Sequence, residues 1–226
     1  MNKTIKKQVL FILIFAVLGF IALQIPVAKL AGAKASFTLF DVLAPTAGAF
    51  LGAIPGLLAV ALMQIFNFTI HGLPTFSSAT AVRFITPLAA TMYFAKNTKL
   101  NIVILLLAIL SFVLNPVGRS VWYFSLYWLI PVFCALVHER SLLARSFGAT
   151  FTAHAVGGAF WIWLVPLPKA VWIGLIPVVA IERTVFGMGI AASYVALANV
   201  LAYLETKRVP SLGTLLLDRR YIWKRA

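Results

Sequence analysis

Seven polar side chains stand among long apolar runs in this chain: Asp41, His71, Arg83, Asn115, Arg119, Glu182 and Arg183. The chemistry open to them is recognition. Arginine presents a planar fork that matches a carboxylate or a phosphate. The side-chain amide of Asn115 offers a donor and an acceptor to a ring amide. Trp122, Tyr123, Tyr127, Trp161 and Trp163 fall in the same layer. Aromatic walls with a few polar anchors are the usual build of a small-molecule site. Each group also has a plainer reading. Trp and Tyr gather at membrane interfaces without binding anything, Arg119 can reach lipid headgroups, and Glu182 and Arg183 can pair with neighbouring helices for packing alone.

Catalytic sets are missing. The five acidic residues are Asp41, Glu139, Glu182, Glu205 and Asp218, and the three histidines, His71, His138 and His154, lie far apart in sequence. No HExxH, CxxC, GxSxG or P-loop pattern occurs. The expectation is no catalytic residue, no metal site and no cofactor. With no ATP site, any energy from ATP must come from a partner. Cys134 stands alone in an apolar run and reads as a small buried residue.

The elements that hold these residues must live in lipid. Of the 226 residues, 62% are hydrophobic and 11% charged, against about 45–50% and about 25% in soluble domains. Several apolar runs approach or exceed the roughly 20 residues of a span, and they are too continuous for the alternating strands of a barrel. The prediction is an all-α polytopic bundle of about six to eight membrane helices, one domain over residues 1–205, with a basic tail over 206–226. The net charge of +14 follows from cytoplasmic loops that collect Lys and Arg. Nucleic-acid binding is not expected, since no basic-aromatic module is present.

The run from Phe37 to Phe66 organises the rest. Pro55 and Gly48, Gly52 and Gly56 punctuate it. It reads either as one kinked helix or as a hairpin, with helices over 40–52 and 57–70 and a turn at 53–56. Further spans are expected over 8–30, 79–95, 100–114, 121–137, 147–165 and 181–204. The run 166–180, broken by Pro166, Pro168 and Pro177, reads as a re-entrant or interfacial segment. The first span reads as uncleaved, because its apolar run is longer than a signal core. The tail reads as an amphipathic surface helix or as a disordered basic segment.

With the hairpin there are eight spans and both termini are cytoplasmic. Lys3, Lys6, Lys7, Lys96, Lys99, Arg140, Arg145 and the tail cations then share the inner side, as the positive-inside rule requires. A single kinked helix inverts every later loop. The hairpin also puts the seven polar residues toward the outer end. Ala16, Gly19 and Ala22 form a small face on the first span, suited to packing within the protein or to docking another membrane subunit.

The order and texture of these segments resemble the substrate-binding S component of an energy-coupling factor (ECF) transporter. The resemblance rests on the basic N-terminus and first span, then 37–43 leading into 49–56. It continues in an outer loop with Gly72, Pro74 and Phe76, a span ending at Lys96–Lys99, and the Glu182-Arg183 start of a small-residue last span. It covers about residues 5–100 and more weakly 181–205. It implies a cell-membrane protein that captures a vitamin or similar nutrient. It also implies a shared transmembrane coupling subunit and two ATPase subunits as partners. Small alanines at AxxxA spacing on the first span of that family touch the shared subunit; Ala16, Gly19 and Ala22 are spaced three apart. The family usually has six spans, so 100–137 would be extra. Other readings are a structural protein of envelope machinery, a stand-alone secondary transporter, and an intramembrane enzyme acting on lipid, which lacks its acid–base cluster here.

Overall fold

The computed structural model describes residues 3–29, 31, 36–71, 77–96, 98–207 and 215–223, with residues 3–11, 71 and 78 described by their backbone. Among the expectations above, the loop residues Gly72, Pro74 and Phe76, with Lys34, Arg208, Lys224 and Arg225, lie outside the described residues.

The architecture is all-α. Helix α1 spans Lys3–Leu23, α2 Phe40–Leu51, α3 Ala53–His71, α4 Ser78–Ala95 and α5 Lys99–Leu114. The short α6 (Pro116–Ser120), a 3-10 helix (Trp122–Leu129) and α7 (Ile130–Ala135) precede the two longest helices, α8 (Leu142–Leu164) and α9 (Lys169–Thr206). A last 3-10 turn covers Arg219–Tyr221.

The run 37–66 is a hairpin, and its turn is one residue. Gly52 has φ +88° and separates α2 from α3, a conformation that only glycine adopts without strain. Pro55 lies in the first turn of α3, where its missing N–H is one that no helical carbonyl would have bonded. A Cβ on Gly56 would come within 2.6 Å of Gly48 Cα, so the two arms touch backbone to backbone just past the bend.

Contacts at the two ends fix the helix directions. At one end Gln24 donates to Asn67, Asp41 meets Arg83, and Asn115 donates to the Ile162 carbonyl. At the other, Phe50 stacks on Tyr194, His138 contacts the Tyr93 carbonyl, and Arg145 Nε donates to the Phe94 carbonyl. Therefore α1, α3, α5 and α8 run toward the first end. The other long segments (α2, α4, the 3-10 helix with α7, and α9) run away from it. The start of α1, the end of α9, and Lys96, Lys99 and Arg140 share the second end. Two helical stretches, Ala53–Ile70 and Lys169–Thr206, are long and apolar enough to cross a membrane.

Four expectations are revised. The first span is expected to run to residue 30, but α1 stops at Leu23. Pro26–Lys29 (β1) pairs antiparallel with Ser36–Thr38 (β2) in a small ribbon at the first end. The run 166–180 is no separate segment. Pro166 and Pro168 precede α9, and Pro177 is carried inside it. The continuous helix of 38 residues is about 57 Å long, longer than the roughly 30 Å hydrocarbon core of a bilayer. The span over 121–137 is a 3-10 helix continued by α7. A 3-10 rise of about 2.0 Å per residue stretches eight residues over about 16 Å, against about 12 Å for an α-helix. The tail is neither of its two readings where it is described. Leu216 N–H donates to the Phe50 carbonyl, Asn199 Nδ2 to the Tyr221 carbonyl, and Trp223 N–H to Asn199 Oδ1.

Two clusters make the core. One joins α1–α4, the middle of α8 and the later half of α9 around Phe50, Tyr93, Phe94 and Tyr194. The other joins α5, the 3-10 helix, α8 and the start of α9 around Phe112, Phe124, Trp128 and Trp172. The small face of α1 is used inside the first cluster. A Cβ on Gly19 would collide with the Met63 sulfur, and Ala22 is buried at 3% exposure. The lipid-sized apolar face of α1 is instead its exposed side, with Leu13, Val17 and Ile21.

Candidate functional site

A cavity of about 120 Å³ lies at the seam of the two clusters, near the first end. Helices α4, α8 and α9 wall it, α2 and β2 reach it through Asp41 and Phe37, and the 3-10 helix contributes Phe124. Lys29 and Ala31 line it from the ribbon side.

Asp41 stands in the first turn of α2, where a carboxylate complements the helix dipole. Its Oδ2 accepts the Thr38 N–H at 2.7 Å, which ties β2 to the helix start. The same oxygen lies 3.6 Å from Arg83 Nη2. Arg83 comes from the early part of α4, whose start is fixed by Ser77 Oγ accepting from Thr80 N–H. On α9, Arg183 Nη2 is 2.8 Å from Glu182 Oε2, and its Nη1 reaches Thr150 Oγ1 at 3.4 Å. The Phe37 ring lies beside both cations, with its centroid 4.6 Å from the Arg183 guanidinium carbon and 5.8 Å from that of Arg83. Phe186 lies 4.5 Å from Arg183 on another side.

His154 of α8 also lines the cavity. Its Nδ1 accepts from Trp128 Nε1 at 3.0 Å. An indole nitrogen only donates, so the neutral imidazole carries its proton on Nε2. Several buried nitrogens of the lining have no hydrogen-bond partner among the described residues: Arg83 Nη1, Arg183 Nε and Nη2, and Trp172 Nε1. The Arg183 Nη2–Glu182 approach is therefore a charge contact without hydrogen-bond geometry. Buried donors are rarely left unpaired, and this lining holds four of them, one from α4 and three from α9.

Of the residues expected from sequence, Asp41, Arg83, Trp161, Glu182 and Arg183 converge here. Asn115, Arg119 and Trp122 do not. Asn115 caps α6, its Oδ1 accepting from Val117 and Gly118 N–H while its Nδ2 donates to the Ile162 carbonyl. Arg119 is exposed on α6, and Trp122 is 55% exposed at the start of the 3-10 helix. His71 closes α3, and its side chain lies outside the described residues. Trp163 donates to Ser111, and Tyr127 donates to the Ile176 carbonyl, both within the fold.

Sequence reasoning passed over Phe37, His154 and Trp172 as site residues. A signal was present for two of them. His154, Gly157, Gly158 and Trp161 follow the spacing of one helix face, as do Trp172, Leu175, Val179, Glu182 and Phe186. Among the described residues, no three His, Cys, Asp or Glu side chains are grouped to hold a metal ion.

Compared with known proteins, the chain matches no family model, no curated protein and no solved structure.

Proposed function

We propose that this chain is an integral membrane subunit that captures a small molecule in the cavity for transport across the cell membrane. One observation carries the reading. Four segments far apart in sequence (β1, α2, α4 and α9) bring charged groups and unpaired donors to one aromatic-walled cavity near one end of the bundle. A packing role alone would leave those donors partnered or replace them with apolar groups.

The eight lengthwise passes are read as eight membrane crossings, with the ends of the chain and the cation-rich turns in the cytoplasm. The cavity then opens toward the outside. The likeness of 5–100 to ECF S components supports a role as the capture subunit, working with a shared transmembrane subunit and ATPases. The absence of a nucleotide motif from the chain agrees with an energy source in a partner. If such a partner docks in the membrane, it meets α1 on its exposed Leu13–Val17–Ile21 side, since Gly19 and Ala22 are covered by α3.

Native mass spectrometry of protein purified from its own membranes in mild detergent tests the reading. The expected spectrum shows one bound small molecule per chain, with ATPase and membrane partners in the gently extracted sample. A ligand without partners points to a stand-alone transporter. An unliganded chain that no nutrient stabilises against heat contradicts the reading and favours a structural role.

A further inference from the structure

The capture reading leaves the ligand's chemistry open, and the cavity wall constrains it. We infer that the ligand is a small ring-bearing monoanion, a carboxylate, held by Arg83 and Arg183; this assignment rests on the capture reading above.

Hydrogen-bond capacity comes first. Arg83 Nη1, Arg183 Nε and Trp172 Nε1 have no partner among the described residues, Arg183 Nη2 meets only the Glu182 charge, and every one of the four can only donate. Arg183 and Trp172 are each 3% exposed, so bulk water does not serve them. The two carboxylates nearby already face cations of the wall: Asp41 Oδ2 takes the Thr38 N–H and faces Arg83, and Glu182 Oε2 faces Arg183. His154 adds a further donor, the Nε2 proton left by its bond to Trp128. A ligand that completes this wall brings acceptors. A ligand that brings an ammonium group adds a donor and a positive charge to a wall that already has a surplus of both.

Charge narrows the class. Lys29, Arg83 and Arg183 line the cavity against Asp41 and Glu182, three cations against two carboxylates. A monoanion neutralises that balance, whereas a phosphate dianion reverses its sign. A guanidinium also matches a carboxylate in shape and makes charge-assisted hydrogen bonds to it, about twice as strong as neutral ones.

Size and walls supply the ring. Phe37, Phe124, Trp161, Trp172 and Phe186 are the aromatic residues of the apolar lining. The volume of about 120 Å³ is close to the roughly 150 Å³ of an engineered apolar cavity that takes benzene. One ring with a short acidic arm fits that space.

The test is a titration of the purified protein in detergent at neutral pH, followed by the change in its intrinsic tryptophan fluorescence. Benzoate and phenylacetate are compared with their primary amides and with benzylamine and phenethylamine. The carboxylates are expected to bind at least tenfold more tightly than the matched amides, and the amines not at all. Arg183→Gln is expected to bring carboxylate and amide affinities within threefold of each other. Arg83→Gln, which removes the other guanidinium of the cavity, is expected to weaken the carboxylates several-fold in a normally folded protein. Amides or amines that bind as tightly as the carboxylates overturn the assignment and leave the capture reading standing. Silence across the whole panel also overturns it, and the capture reading is then judged by the co-purified ligand alone.

Discussion

Arg183 faces one carboxylate and leaves a nitrogen edge unpaired at 3% exposure. Removing its neighbour's charge leaves a buried cation uncompensated, a change that costs about 3–5 kcal/mol in protein interiors. Glu182→Gln is therefore expected to lower apo stability by about 3 kcal/mol. Trp172→Phe has two opposed effects. It deletes a buried donor with no partner, a group that costs about 1–3 kcal/mol, and it also removes the indole's second ring from a packed site, which costs a comparable amount; the variant is expected to stay within about 1 kcal/mol of the natural protein. Thermal unfolding of both in the same detergent checks the two outcomes together. A stability loss in Trp172→Phe as large as in Glu182→Gln contradicts the unpaired-donor account. Much of this site was legible in the sequence. Asp41, Arg83 and the Glu182-Arg183 pair stand out because charge inside apolar helices needs a reason. Asn115 and Arg119 stand out for the same reason yet serve elsewhere. Asn115 before Pro116 is a helix start, an N-cap followed by proline, and that local grammar outweighed its place in the polar layer. Phe37 was hidden because one more aromatic in a greasy chain carries no signal until the fold brings it beside two guanidiniums.

At the scale of elements, the hairpin turns on two glycines used differently. Gly52 has open space where a Cβ would go, so its cost on substitution is conformational alone. Gly52→Ala is expected to destabilise by about 1–3 kcal/mol, the cost of a side chain at a positive φ with extended ψ, a region essentially confined to glycine. Gly56→Leu forces the arms apart against Gly48 and is expected to cost about 1–3 kcal/mol from overpacking. Denaturant unfolding of the two variants checks both. A Gly52→Ala protein as stable as the natural one contradicts the single-residue turn. The hairpin was legible because Gly and Pro cluster where the chain must reverse. The ribbon of β1 and β2 was not, because Pro26-Val27-Ala28 directly after a helix looks like its last turn. The length of α9 was not legible either. Pro166 and Pro168 read as breakers within a segment, but they end one helix and precede the next, and Pro177 is tolerated inside.

For the whole molecule, the described tail works as a clasp on the cation-rich end. Arg220 Nη2 donates to the Glu139 carbonyl, and its guanidinium pairs with Asp218 at 2.6 Å. The hydrogen bond from Arg220 holds the Asp218 carboxyl below its usual range. A folded pKa below the unfolded one adds stability that is complete above the unfolded value near 3.9 and is lost as pH falls through the folded value. The clasp is thus expected to hold at neutral pH and loosen below about pH 4. Hydrogen exchange at the Leu216 amide, corrected for its intrinsic pH dependence, reports the loosening, and Asp218→Asn removes the pH dependence. Orientation is checked on a Cys134→Ser background with single cysteines placed at Lys96, Arg140 and Lys29. The first two are expected to react from the cytoplasmic side and the third from outside. Labelling of all three from one side contradicts the eight-crossing reading.

The claim beneath the rest is that the cavity between α4, α8 and α9 holds a small molecule. The most direct measurement is the small-molecule content of the natural protein and of Ala153→Phe, purified side by side from the same membranes. Ala153 lines the cavity, and the added ring fills it. One organic molecule per chain in the natural protein, and none in a folded Ala153→Phe, is the predicted result. Equal content in both proteins, or none in either, contradicts the account.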